Sequence, residues 1–357
     1  MTLSRSPPGP SLSAVEVSTP ADVRGLSAEQ LAQAYYVTQA QHARRTADRV
    51  QALWRELDRR DLTGAWESLV GPQVVQAVTA GQLAAASGAD PYTAAVVAAD
   101  GEVSQPSGRV RPAAFAGRAA DGRSLESLLY LPVITTKRSL AAGLDDIEAM
   151  MRGLHQLLRM AASEVADAGR SAAGTSIAGN RTIQGYIRVV NPPACARCII
   201  LAGKEYGWNR GFQRHPRCDC VHMPATLIAR NRHHRGAFSP KAYFAGLSRQ
   251  EQDRIFTAAG AQAIRDGARI SSVVNARRGM STVDAYGRRV RATTEGTTRR
   301  GAFFQQERAR AIAAGQVPRS GRGFRLMTPR LLPEEIYRLA GSRAEAIAML
   351  HRFGYLI

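Results

Sequence analysis

Cys195-Ala-Arg-Cys198, then sixteen intervening residues, then His215-Pro-Arg-Cys218-Asp-Cys220: this stretch holds all four cysteines of a chain of 357 residues. Four thiols within 26 positions are not a scattered set of small core residues. A Cys-x-x-Cys turn lets two thiolates face one ion, and the second cluster adds an imidazole and two more thiols. Zinc takes four such donors in a tetrahedron, and a site closed by protein ligands is structural. The expected ligands are Cys195 and Cys198, completed from His215, Cys218 and Cys220. Five donors compete for four positions. If 218–220 is extended, Cys218 and Cys220 share a face, and His222 continues it. Binding would release thiol protons and couple the metal to local folding.

Other chemistries of the same residues compete with the metal. Buried cysteines pack as small hydrophobes, and a lone Cys-x-x-Cys serves redox exchange, but here no flanking βαβ pattern accompanies it. A zinc deaminase needs a His-x-Glu ahead of its Pro-Cys-x-x-Cys, and the chain has no His-x-Glu. An HExxH zincin motif is likewise missing from the sequence. A treble-clef nuclease built on His215 and Asp219 stays open as an alternative, as does a general nucleic-acid-binding regulator. No catalytic residue is assigned, and the expectation is a protein that does not act as an enzyme. His42, His155 and His351 fall on helical stretches, and His233 and His234 lie in an arginine-rich loop.

Working outward, the segments on either side differ in charge. Residues 1–180 carry 17 basic and 18 acidic residues, whereas 181–357 carry 31 and 11. Of the 48 basic residues only Lys137, Lys204 and Lys241 are lysine. Arginine's planar fork suits phosphate, and so lopsided a distribution points to a polyanion, most simply nucleic acid, near the second half. No segment approaches the roughly 18 consecutive apolar residues of a membrane span, so no membrane partner is expected. The N-terminus lacks the apolar run of a secretory signal. A reducing compartment follows, which favours a metal over disulfides.

The fold class expected is α+β and predominantly helical. Residues 1–25, rich in Ser, Pro and Gly, read as a flexible tail. A helical domain spans 26–170. Within it, Ser27 with Gln30 forms a capping box opening a helix whose apolar stripe includes Leu31, Tyr35, Val50, Leu53 and Trp54. A second helix follows from Thr63, broken at Gly71-Pro72. Residues 90–123, with many Gly, Pro and Ala and no clear period, read as loop with short elements. Leu140, Leu144, Ile147, Met151, Leu154, Leu158 and Val165 mark further helix with a core face. Ser171–Gly179 reads as a linker. A small zinc-knuckle α+β domain occupies 180–270, with a strand at Tyr186–Val190 and a helix capped by Ser248 and Glu251. Residues 271–357 form a basic, helical C-terminal extension, with turn glycines through 271–300.

Taken together, Arg188-Val-Val190, Cys195-Ala-Arg-Cys198, Leu201-Ala-Gly-Lys204, His215-Pro-Arg-Cys218-Asp-Cys220 and Met223-Pro224 resemble the MuF-like minor head proteins of tailed bacteriophages. Phe238-Ser-Pro-Lys-Ala-Tyr-Phe244 and Val274-Asn-Ala-Arg-Arg-Gly279 are similar to the version found in phages of actinobacteria. The resemblance covers about residues 180–280. It implies a minor capsid or head-morphogenesis protein that acts structurally inside the virion, near the portal and the packaged DNA. It further implies assembly in the host cytoplasm, a portal or capsid protein as partner, and packaged DNA met through the arginine-rich half.

Overall fold

The computed structural model describes residues 25–191, 194–211, 220–229, 238–319 and 323–356. They gather into two compact units, one drawn from 1–191 and 203–237, the other from 192–202 and 238–357. The fold is α+β and predominantly helical, with two small three-stranded sheets. No described helix is long and apolar enough to cross a membrane. The expected tail lies outside the described residues, apart from Gly25.

The first unit begins with α1 (Ala28–Trp54). Its start is set by the expected capping box: Ser27 Oγ accepts the Gln30 N–H at 3.3 Å, and Gln30 Oε1 accepts the Ser27 N–H at 2.8 Å. These bonds satisfy donors that the first turn leaves open. Leu31, Tyr35, Val50, Leu53 and Trp54 are buried, as their spacing demands. A short helix α2 (Leu62–Ala65) runs into a π turn at Trp66–Val70 and then into α3 (Gly71–Ser87). The chain therefore passes through Gly71-Pro72 instead of breaking there. Pro72 falls in the first turn, where a missing N–H costs nothing. A side chain at Gly71 would meet the Trp66 carbonyl oxygen at 2.7 Å, so the wide turn needs the glycine.

Two further segments differ from the sequence reading. Residues 89–99, expected as loop, form helix α4 (Ala89–Ala99) with Tyr92, Val96 and Val97 buried. Pro91 sits in its first turn, a position that tolerates proline. Asp90 pins α4 by accepting the Ser176 hydroxyl at 2.6 Å and the Val110 N–H at 2.9 Å. Ser171–Gly179, expected as a linker, is the end of α6 (Asp146–Ala178), which follows α5 (Leu125–Ala141). Its small residues are contact surface: Ala172 packs with Ala86 and Ala89. Of the expected apolar stripe, Leu154 and Val165 are buried, while Ile147 and Met151 are exposed.

Strand β1 (Ile183–Val190) is the centre of an antiparallel sheet, flanked by β2 (Glu205–Gly207) and β3 (Cys220–Thr226). One face contributes Ile187, Val221, Met223 and Ala225 to a cluster with Leu31, Tyr35, Tyr92 and Val96. Tyr35 and Tyr92 stack with centroids 4.0 Å apart. Tyr92 donates its hydroxyl to the His222 carbonyl at 2.9 Å, tying α4 to β3.

The second unit holds α7 (Ala196–Leu201), α8 (Pro240–Gly246), α9 (Arg249–Phe256), α10 (Ala258–Arg265) and α11 (Ile270–Ala276). The expected capping box at Ser248 and Glu251 opens α9. Next come the hairpin β4 (Met280–Ala285) and β5 (Arg288–Thr293), then α12 (Ala302–Ala313), β6 (Arg330–Leu331), α13 (Pro333–Leu339) and α14 (Arg343–Arg352). The stretch expected as a helical extension thus contains a sheet, ordered β4-β5-β6. It also buries large side chains, among them Phe303, Leu331, Ile336, Leu350, Phe353 and Tyr355. Arg330 is 4% exposed. Its guanidinium donates to the carbonyls of Phe353 (2.8 Å), Glu295 (2.8 Å) and Gly354 (3.3 Å) and lies 4.3 Å over the Tyr355 ring. One arginine fork thereby joins β6 to the chain's last turn.

Gly153 on α6 marks the closest approach to α5: a side chain there would meet Thr136 Oγ1 at 2.1 Å, Trp54 Cζ2 at 2.8 Å and the Pro132 carbonyl oxygen at 3.0 Å. Gly153→Val should destabilise by about 1–3 kcal/mol. Gly174→Ala, where nothing lies within 4 Å, should be neutral or stabilising, since alanine is the better helix former. Thermal melts of the two variants check this. Asp266 gives a pH dependence. Burial alone raises its carboxyl, but hydrogen bonds from Tyr337, Arg343 and Gln262 outweigh that and hold it below the usual carboxylate range. A carboxylate with a depressed pKa adds stability at neutral pH, and that stability is lost as pH falls below about 4. Urea midpoints should therefore drop more between pH 7 and pH 3 in the parent chain than in Asp266→Asn.

Candidate metal centre

The Cys-x-x-Cys is built by a helix start. Cys195 is the N-cap of α7, with extended backbone at φ −71° and ψ 155°. Its Sγ accepts the Cys198 N–H at 3.4 Å. The Cys195 carbonyl accepts the Ile199 N–H at 3.1 Å, closing the first helical turn. Cys195 is exposed and Cys198 is buried, and both are thiols without a disulfide. A metal-bound thiolate carries full negative charge and takes N–H donors, so a sulfur already facing an amide suits that state. The pair fits two positions of a zinc tetrahedron in donor type and in local fold.

His215 and Cys218 lie outside the described residues. Cys220 heads β3 in the first unit, opposite Val190 of β1, and is fully buried. Cys195 and Cys198 belong to the second unit. Among the described residues, no group of three or more His, Cys, Asp or Glu side chains is arranged to hold an ion.

Around Cys220 the sheet face is chemically distinctive. Register pairs Val190 with Cys220, Arg188 with His222, and Tyr186 with Pro224. Alternation puts Arg188, Cys220 and His222 on one face, the reverse of the face that packs on Leu31 and Tyr92. The reserve donor His222 thus follows Cys220 as expected, and its ring lies 4.4 Å from that of Tyr186. Arg188 is 1% exposed, the largest fully buried side chain. Arg188 stands within the quoted motif, but its burial was not expected. The alternation Tyr186, Arg188, Val190 was the available signal.

Within the same unit, a cavity of about 480 Å³ lies along α1, α6 and the start of β3. Tyr36, Gln39, His155, Arg159, Arg170 and Cys220 are among its lining. Gln39 is buried; its Nε2 donates to the Ala85 carbonyl at 3.0 Å, while its Oε1 has no hydrogen-bond partner. Arg170 is paired with Asp167 at 2.8 Å. The cavity was not legible in the sequence, because its walls come from helices more than a hundred residues apart.

Comparison of the chain with protein families, with curated proteins and with solved structures found no match.

Proposed function

We infer that this chain is a minor capsid or head-morphogenesis protein of a tailed phage, acting structurally inside the head near the portal and the packaged DNA. The observation that carries the reading is the run from Arg188 to Pro224; the Cys195 sulfur, which accepts the Cys198 N–H at the start of a helix, supports a metal knuckle there. In this reading Cys195 and Cys198 hold a zinc ion together with two of His215, Cys218 and Cys220. The ion supplies fixed geometry, not turnover, to a segment with little core of its own. The helical first unit offers surface to a portal or capsid protein. The second unit carries the charge: residues 238–357 hold 21 basic and 9 acidic residues, a balance suited to packaged DNA.

Two measurements test this. Native mass spectrometry of the purified chain should find about one zinc per chain, lost in Cys195→Ser or Cys198→Ser; a folded, metal-free chain would sink the metal assignment. Co-expression with the portal protein encoded in the same genome should yield a complex that survives gel filtration. Failure to associate, or divalent-metal-dependent plasmid nicking abolished by His215→Ala in a still-folded chain, would replace assembly with the nuclease reading.

A further inference from the structure

The hairpin of β4 and β5 stands out in the second unit. Its strands pair antiparallel from Met280↔Thr293 to Ala285↔Arg288, and Tyr286 and Gly287 form the two-residue turn. Both turn residues have positive φ, 54° and 71°, the geometry of a tight primed turn that matches strand twist. Alternation gives the ribbon two different faces. Val290 and Ala292 are buried. On the other face Met280, Thr282, Asp284, Arg289 and Arg291 are all exposed, and Arg288 is exposed beside the turn. Thr282 lies across from Arg291, and Asp284 across from Arg289.

The charge of Arg289 and Arg291 on this face, and of Arg288 at the turn on the face of Val290, is not consumed internally. Five arginines elsewhere in the unit are paired: Arg265 with Asp253, Arg277 with Glu334, Arg310 with Glu307, Arg338 with Glu335, and Arg343 with Asp266. Others, Arg249, Arg254, Arg269 and Arg278 among them, share the lack of an ion pair among the described residues but are not carried on a regular two-stranded ribbon. Among the described residues no ion pair engages Arg288, Arg289 or Arg291. Tyr286 adds a half-exposed aromatic ring at the tip, in a backbone region where Asn or Gly is usual. Arg352 and Glu345 both line the shallow depression beside Tyr286.

Resting on the DNA-proximal reading above, we propose that the β4–β5 hairpin is the chain's contact to double-stranded DNA, lying as a ribbon in the major groove with Arg288, Arg289 and Arg291 on phosphates. Two strands about 4.8 Å apart, with their side chains, fit the roughly 12 Å width of the B-form major groove. The A-form major groove of duplex RNA is too narrow to admit them. Arginine at successive outward positions meets phosphate as a planar fork. Thr282 and Asp284 share the face of Arg291 and Arg289 and are short beside them, so the arginines reach furthest, phosphate contact dominates and sequence preference is weak.

The test uses the full chain and a labelled 25-base-pair DNA duplex, titrated by fluorescence anisotropy between 50 and 200 mM salt. Combined Arg288→Gln, Arg289→Gln and Arg291→Gln should weaken binding about tenfold or more and lower the slope of log affinity against log salt by about 2–3. The same number of charges removed elsewhere, by Arg249→Gln, Arg254→Gln and Arg269→Gln, should change affinity less than about threefold. A photo-crosslinking residue at Thr282 should label the DNA, and thermal melts establish that each variant folds. Equal losses from both triple variants, no loss from the hairpin triple, or tighter binding to an RNA duplex of the same sequence would overturn the hairpin assignment. If binding persists without the hairpin arginines, the DNA-proximal reading survives and only the hairpin falls. No binding by the parent chain at any salt overturns both, while portal association stands or falls separately.

Discussion

The antiparallel register of β1 is the constraint on which the first unit depends. As the central strand it is hydrogen-bonded on both edges, to β2 and to β3. A slip of one residue would turn every side chain to the opposite face. Ile187, Val221, Met223 and Ala225 would then leave the cluster with Leu31, Tyr35, Tyr92 and Val96, and Arg188 would be driven into that apolar contact. A misplaced buried guanidinium costs far more than a lost methyl contact, so the register is strongly specified. The same register fixes Cys220 opposite Val190 and His222 opposite Arg188. The helical core thus decides which donors share a face, although none of its residues carries chemistry.

Helix starts were legible because their signal is local. Ser27 with Gln30, and Ser248 with Glu251, each bring a hydroxyl and a carboxamide or carboxylate to the amides of one turn, and both boxes form. The interior of α6 was not legible, because small residues carry two opposite meanings. A run such as Ser171-Ala-Ala-Gly-Thr-Ser reads as a linker when nothing packs on it and as a close helix contact when something does. Only the tertiary partner decides, and here Ala172 meets Ala86 and Ala89. Proline misled in a related way at Gly71-Pro72 and at Pro91. Both prolines fall in first turns, where the lost donor has no intrahelical partner to lose.

The helix start at Cys195 and Cys198 was legible, whereas no ligand set is brought together among the described residues. Spacing alone marks Cys195 and Cys198 as a turn, and the turn forms with its N–H aimed at sulfur. Arg188, Gln39 and the cavity beside Cys220 depend on contacts across long sequence separations, for which a single sequence has no pattern. The C-terminal sheet was hidden for a different reason. Its strands are short, and arginines occupy their outward positions, so the period-2 alternation of Arg289, Val290, Arg291 and Ala292 reads first as a basic loop.

Six arginines of the second unit have a defined structural role. Arg330 is buried and spends its fork on three backbone carbonyls. Five more arginines in the second unit meet acidic side chains, and the Glu251 and Glu345 carboxylates are turned back onto backbone amides at helix starts. Of the nine acidic residues from 238 to 357, these engagements leave Asp284 and Glu295 as the acids with neither role. Asp284 lies on the hairpin itself, across from Arg289, without an ion pair to it. Surface pairs contribute little stability, so tying up the acids matters less for holding the unit together than for its field. Acids bound close to partner arginines cancel locally, and among the arginines without an ion pair those of β5 are the ones set on an exposed, regular and narrow ribbon. That combination is what distinguishes a surface shaped for a polyanion from one that is merely basic.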